Sequence, residues 1–298
     1  MGRIREVVLI GARTVRRLPV PAGVYTSSMR EARRALPPGA VQKRHAVDVE
    51  MIDRTRAVWL DRHRADRGVI VHLHGGAYVS GPFQGDWEWI SQLADAHECA
   101  ALMIDYRFAP DHVHPVALDD AEAVLAALQE RGTLAGAPWV LTGHNSGGGL
   151  ALSIASRLQH REGAIRPAGL VLMAPWTDLE LANTGVTETA GVDPVHERRM
   201  LRAAARAYAD RTPVDDPALS PMNADLAGLP PVHLSAGTRD IFLTDTRILR
   251  LQLEELDVEV SYREVGGRIS MIPWLRKGED VARLVREQSA FIGRALTR

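Results

Sequence analysis

Residues 139–148 read Trp-Val-Leu-Thr-Gly-His-Asn-Ser-Gly-Gly: an apolar run, Trp139 to Thr142, delivered into a turn framed by Gly143, Gly147 and Gly148. From Gly148 to His160 the pattern becomes helical, so the stretch is a strand, a sharp turn and a helix. A short apolar run bounded by glycine or proline is what a strand buried on both faces looks like. The same unit recurs along the chain. Candidate strands are Val47 to Ile52, Ala57 to Leu60, Val69 to His72, Ala100 to Ile104, Gly169 to Met173, Pro231 to Ser235 and Val258 to Tyr262; helical stretches are Trp87 to His97, Val116 to Arg131, Asp245 to Leu256 and Glu279 to Leu296. Such alternation predicts a mostly parallel eight-stranded α/β sheet with helices on both faces. Two segments break the rhythm, 1–40 and 178–222, the second holding an arginine- and alanine-rich helix from Glu197 to Asp210. The expectation is one domain over residues 1–298 in which both segments form a helical cap over the strand ends, where ligands of open α/β sheets sit.

Composition narrows the partners. In 298 residues, 36 Lys and Arg balance 37 Asp and Glu, which argues against nucleic acid or an anionic membrane surface. The apolar run VVLI near the N-terminus is too short and too closely flanked by arginine for a signal peptide or a membrane span, and Ile4 to Leu18 reads as an amphipathic helix. A single cysteine, Cys99, forbids an internal disulfide and fits a reducing compartment, so the cytoplasm is the expected location. No metal or organic cofactor is expected, because the chain has no paired-histidine ligand motif, no dinucleotide-type phosphate loop and no cysteine cluster.

Two further motifs carry chemistry. The strand Val69 to His72 runs into His74-Gly75-Gly76-Ala77-Tyr78, whose paired glycines let backbone amides approach a ligand unobstructed. Downstream come Asp105-Tyr106-Arg107-Phe108-Ala109-Pro110-Asp111-His112 and then Pro115, Ala117, Leu118, Asp119 and Asp120. With Pro175-Trp176-Thr177-Asp178-Leu179, Leu219-Ser220-Pro221-Met222 and Gly237-Thr238-Arg239-Asp240, these resemble the hormone-sensitive-lipase-like branch of the α/β-hydrolases from about residue 45 onward. The resemblance implies the α/β-hydrolase fold, an oxyanion hole formed by the amides of Gly75, Gly76 and Ser146, and pairing into a homodimer through an edge strand or the last helices. It also implies a substrate pocket lined by His74, Ala77, Tyr78, Trp176 and Ile241, with His74 and Asp105 bracing the oxyanion loop through hydrogen bonds.

The departures from the family pattern are as informative. Where the family carries GxSxG, this chain has Gly143-His144-Asn145-Ser146-Gly147, which puts Asn145 in the nucleophile position. Asparagine tolerates the positive φ of such a turn but is a poor nucleophile. Asp240 is the expected acid, and the family's order of Ser, acid, His requires an imidazole after it. Residues 234–298 contain no histidine. By resemblance Ser270 falls at the histidine position, with Arg268 the substitute if the register slips.

Asn145, Asp240 and Ser270 are therefore the candidate catalytic positions, and three functions compete. The leading expectation is a non-hydrolytic enzyme of lyase or cyclase type, using the oxyanion hole to polarise a small apolar carbonyl compound in a biosynthetic pathway. A second is a ligand receptor, since plant hormone receptors resemble this family and lack its histidine. A third is residual carboxylesterase activity through Ser146 or water.

Overall fold

The structure is a computed structural model that describes residues 35–193, 195–269 and 278–297. The Ile4 to Leu18 helix, most of the first cap segment and Ser270 lie outside the described residues. After a short helical turn, α1 (Gly39–Gln42), the chain forms β1 (Val47–Ile52), β2 (Thr55–Leu60), β3 (Val69–Leu73), α2 (Gln84–His97), β4 (Ala100–Asp105), α3 (Val116–Glu130), β5 (Trp139–His144), α4 (Ser146–His160) and β6 (Gly169–Met173). Two helices follow in the inserted segment, α5 (Val186–Val192) and α6 (Arg198–Ala209), and then β7 (Val232–Gly237), α7 (Leu243–Glu255), β8 (Val260–Val265) and α8 (Glu279–Leu296).

All eight strands join one sheet in the order β1-β2-β4-β3-β5-β6-β7-β8. The first two pairings, β1 with β2 and β2 with β4, are antiparallel, and the rest are parallel. Every residue of β3, β4, β5, β6 and β7 is buried, as central parallel strands covered on both faces must be. β1 behaves as an edge, leaving Val49 and Met51 exposed. On one face Trp87, Trp89 and Ile90 of α2 pack with Phe291 and Ile292 of α8; on the other, α3, α4 and α7 contribute Leu125, Leu150 and Leu249 to a larger core. The expected eight-stranded, mostly parallel sheet with helices on both faces is the observed one.

The strand order itself creates the site. From β3 the chain steps outward to β4 and then returns to β5 on the opposite side of β3. The loops leaving β3 and β5 therefore diverge, opening a crevice at a topological switch point. The register pairs Leu73 with Gly143 and His144 with Met173, so residues 74–78, 144–146 and 174–176 leave the sheet side by side.

Candidate active site

The loop after β3 is held in a shape few sequences permit. Gly76 has φ +127, and a Cβ there would meet the Ser80 carbonyl oxygen at 2.2 Å, so no side chain fits. Ala77 and Tyr78 follow with φ 56 and 59, a concentration of backbone strain that marks a functional turn. The Val79 N–H donates to the Gly76 carbonyl at 3.0 Å, closing the turn. Beneath it His74 is fully buried: Nδ1 donates to the Gly75 carbonyl at 2.8 Å, and the Tyr106 hydroxyl donates to the His74 carbonyl at 2.6 Å. The two rings stack at 4.1 Å. Burial pushes the His74 pKa down to about 4, against the pull of Asp105, so the imidazole is neutral. Asp105 lies 4.0 Å from His74 Nε2 and receives the Arg56 guanidinium. Both side chains sit where they would brace the loop.

The elbow between β5 and α4 consists of one residue, Asn145, at φ 54 and ψ −123. Its carbonyl accepts from the N–H groups of Gly148, Gly149 and Trp176 at 3.0, 3.1 and 2.9 Å, which lock the turn. A Cβ on Gly147 would sit 2.1 Å from the Leu73 carbonyl oxygen and 2.3 Å from that of His74. The glycine frame therefore exists to bring α4 against the end of β3, and with it the elbow against the oxyanion loop. One detail is invisible in the sequence. The Asn145 Oδ1 accepts the Ser146 N–H at 2.6 Å, so one of the three amides expected to receive a substrate oxygen is already occupied by the elbow's own side chain. Ser146 itself is fully buried at the start of α4.

A buried polar network backs both turns. Asp86 on α2 accepts the Phe83 N–H at 2.8 Å and lies 3.4 Å from His72 Nε2 and 3.5 Å from His144 Nδ1. Burial opposes ionisation of Asp86, but the hydrogen bonds from His144 and His72 outweigh it and hold the carboxyl far below its usual range. His144 in turn packs on Gly75, where a Cβ would meet its ring at 2.5 Å. This link from α2 through the elbow to the oxyanion loop is not visible in the sequence, because Asp86 reads there as an ordinary helix-start acid.

The wall beyond the elbow comes from β6, β7 and the inserted segment. Tyr208 of α6 stacks on Tyr78 at 4.0 Å, and Trp176 lies 6.3 Å from Tyr78 and 5.7 Å from Phe242. Asp240 is fully buried in the turn after β7, its Oδ1 accepting the Phe242 N–H at 2.8 Å. Ile241, expected to line the pocket, is buried and donates its N–H to Asp193 Oδ2 at 3.0 Å. The Arg239 guanidinium reaches the Val192 carbonyl. Asp193 also accepts His196 Nδ1 at 3.0 Å, and Asp193, His196 and Asp240 bring one ligand-type atom each within 4.8 Å of one another. Asp193 and His196 escape a reading of the sequence that seeks an imidazole only after Asp240. Two grooves elsewhere, of about 680 Å³ beside Arg157 and Asn223 and about 150 Å³ beside Gln129 and Gly163, touch none of these residues.

Sheet order, a glycine loop after β3 and a strained elbow after β5 at the switch point together define an α/β-hydrolase. Residues 70–271 match the alpha/beta hydrolase fold family, and the chain belongs to it. It is 31% identical over 196 residues to an esterase of Acinetobacter venetianus, covering 65% of this chain and 64% of that protein, just under two thirds of its length. To an acetyl-hydrolase of Streptomyces hygroscopicus it is 31% identical over 217 residues, covering 73% and 72%. A solved esterase from the bacterial hormone-sensitive lipase family shares its fold with a TM-score of 0.82 at 23% identity, covering 98% of this chain and 97% of that one.

These relatives correct the expectation of a non-hydrolytic lyase or cyclase. The two sequence relatives are named as an esterase and an acetyl-hydrolase, and nothing in the comparison supports elimination, cyclisation or a biosynthetic role. That expectation fails because it lets two substituted side chains outweigh a fold and glycine framework that the chain shares with hydrolases. No helix among the described residues is long and apolar enough to cross a membrane.

Proposed function

We propose that this protein is a carboxylesterase-type hydrolase of small acyl esters in which water, rather than a serine, attacks the ester carbonyl. The observation that carries the reading is the apposition of elbow and oxyanion loop through Gly147, a geometry that ester hydrolysis uses and that esterase and acetyl-hydrolase relatives accompany. The ester oxygen would lie against the amides of Gly75 and Gly76, with the Ser146 N–H joining when Asn145 swings aside. Developing negative charge there meets preorganised donors.

The serine and histidine of the family pattern are replaced in this reading by Asn145 and Ser270, so no acyl-enzyme forms at the elbow. A carboxamide brings two donors and one acceptor but no usable nucleophile. Turnover is accordingly slow: binding and an oxyanion hole without the nucleophile leave about 10³–10⁴-fold acceleration over water in serine hydrolases. Purified protein offered p-nitrophenyl acetate should release p-nitrophenol faster than a Gly76→Val variant, whose side chain collides with the Ser80 carbonyl. Equal rates for the two proteins would refute the reading.

A further inference from the structure

No imidazole follows Asp240 in the chain, but the fold brings one back to it from the inserted segment. Asp193 ends the turn after α5. Its Oδ1 accepts the backbone N–H of Val195 and of His196, both at 2.8 Å, and its Oδ2 accepts the Ile241 N–H and the His196 ring, both at 3.0 Å. These bonds fasten the segment to the loop after β7 and fix the ring at the same time. With Nδ1 held by a carboxylate, the tautomer is set and Nε2 is the nitrogen left to take a proton, the same relation by which a triad acid orients its histidine. The ring lies 5.5 Å from Phe242, Phe242 lies 5.7 Å from Trp176, and the Trp176 N–H donates to the Asn145 carbonyl. His196 is thus linked to the elbow through Phe242 and Trp176.

We propose that His196 is the general base of the site, supplied by the inserted segment and oriented by Asp193, in place of the histidine that the family draws from the loop after β8. The assignment rests on the ester-hydrolase reading above. In the step it serves, the water oxygen bonds to the ester carbonyl carbon while one water proton passes to His196 Nε2 and the carbonyl π pair moves onto the oxygen held by the loop amides. When that pair returns, the bond to the alkoxy oxygen breaks and His196 gives its proton to the leaving alkoxide, releasing acid and alcohol with the base regenerated. Burial disfavours the imidazolium, but the Asp193 carboxylate outweighs it with help from Asp240, so the His196 pKa lies above the ordinary imidazole value. A base must be neutral to act, so kcat/KM should climb with pH through an inflection above that value. A cation in the same cluster would have to displace the hydrogen bonds already made to both Asp193 oxygens.

The test is run on Asn145→Ser, which places a hydroxyl at the elbow. If His196 is the base, this variant becomes labelled by a fluorophosphonate probe, and adding His196→Ala slows labelling by about 10²-fold or more. Free imidazole restores part of the lost rate, which a purely structural histidine would not allow. His196→Gln, which keeps a polar partner for Asp193, controls for folding through its melting temperature. Labelling that ignores His196, a folded Asn145→Ser that stays unreactive, or activity abolished by a chelator would overturn the assignment. If the wild type hydrolyses no ester while labelling of Asn145→Ser depends on His196, the water mechanism falls and the base assignment stands. Wild-type hydrolysis that is unchanged by His196→Ala would instead remove the base assignment and leave the ester-hydrolase reading in place.

Discussion

Replacing Asn145 with glycine should raise ester turnover at almost no expense in stability, because the asparagine side chain competes with substrate for the Ser146 amide. The present side chain holds that N–H at 2.6 Å from a backbone at φ 54 and ψ −123. Glycine loses the hydrogen bond, about 1 kcal/mol net, and adds unfolded-state entropy of about 0.5–1 kcal/mol. It also relieves a positive-φ conformation worth about 1–2 kcal/mol in an ordinary residue. The sum lies within about 1 kcal/mol of zero. Alanine gains no relief and loses the bond, so Asn145→Ala should be destabilised by about 1 kcal/mol, a melting temperature about 2–4 °C lower in a chain of this size. Both variants free the amide. A single oxyanion donor is worth about 10²–10³ in rate, so kcat/KM for p-nitrophenyl acetate should increase at least about tenfold in each, whatever the change in stability. Unchanged or reduced turnover in both folded variants would refute the idea that Asn145 blocks the amide.

Three other outcomes follow from the same geometry. Gly147→Ala drives a methyl into the Leu73 and His74 carbonyl oxygens and should both destabilise the fold by about 1–3 kcal/mol and abolish turnover, read by thermal melting and ester assay. Tyr106→Phe removes the buried donor to the His74 carbonyl and should cost about 1–2 kcal/mol by denaturant titration, with a higher KM as the loop loosens. Burial raises the Asp245 carboxyl to about 7, against a hydrogen bond from Asn183. A folded pKa raised above the unfolded value of 3.8 means that the folded state holds the proton longer, so stability contributed by this group is full below pH 4 and is lost as pH rises towards 7. Asp245→Asn should therefore stabilise the protein more at pH 8 than at pH 4, and equal shifts at both would count against it.

How much of this is readable in the sequence depends on whether the determinant is local. The central strands are, since runs such as Val69–Leu73 and Gly169–Met173 are largely apolar and are bounded by glycine or proline. The last two strands lie one to three residues further on than the pattern indicates, because sheet pairing to neighbours, not apolarity, sets their ends. Helix α5 is not foreseen: Val186–Val192 has two valines, two threonines and a glycine and no helical stripe, and its partner is α7 in the folded chain. Within the site, the glycine positions announce both turns. The pairing of Asn145 Oδ1 with the Ser146 N–H is hidden because it depends on a rotamer. Asp193 and His196 are hidden because chain order cannot show a segment folding back onto a later loop.

The most direct measurement is intact-mass spectrometry of the wild-type protein during hydrolysis of p-nitrophenyl acetate. Hydrolysis by water at an asparagine elbow releases p-nitrophenol continuously, with no burst and no acetyl adduct on any residue of the elbow. A burst accompanied by an acetyl group on Ser146 would contradict that mechanism, as would the absence of any release beyond that of the Gly76→Val protein.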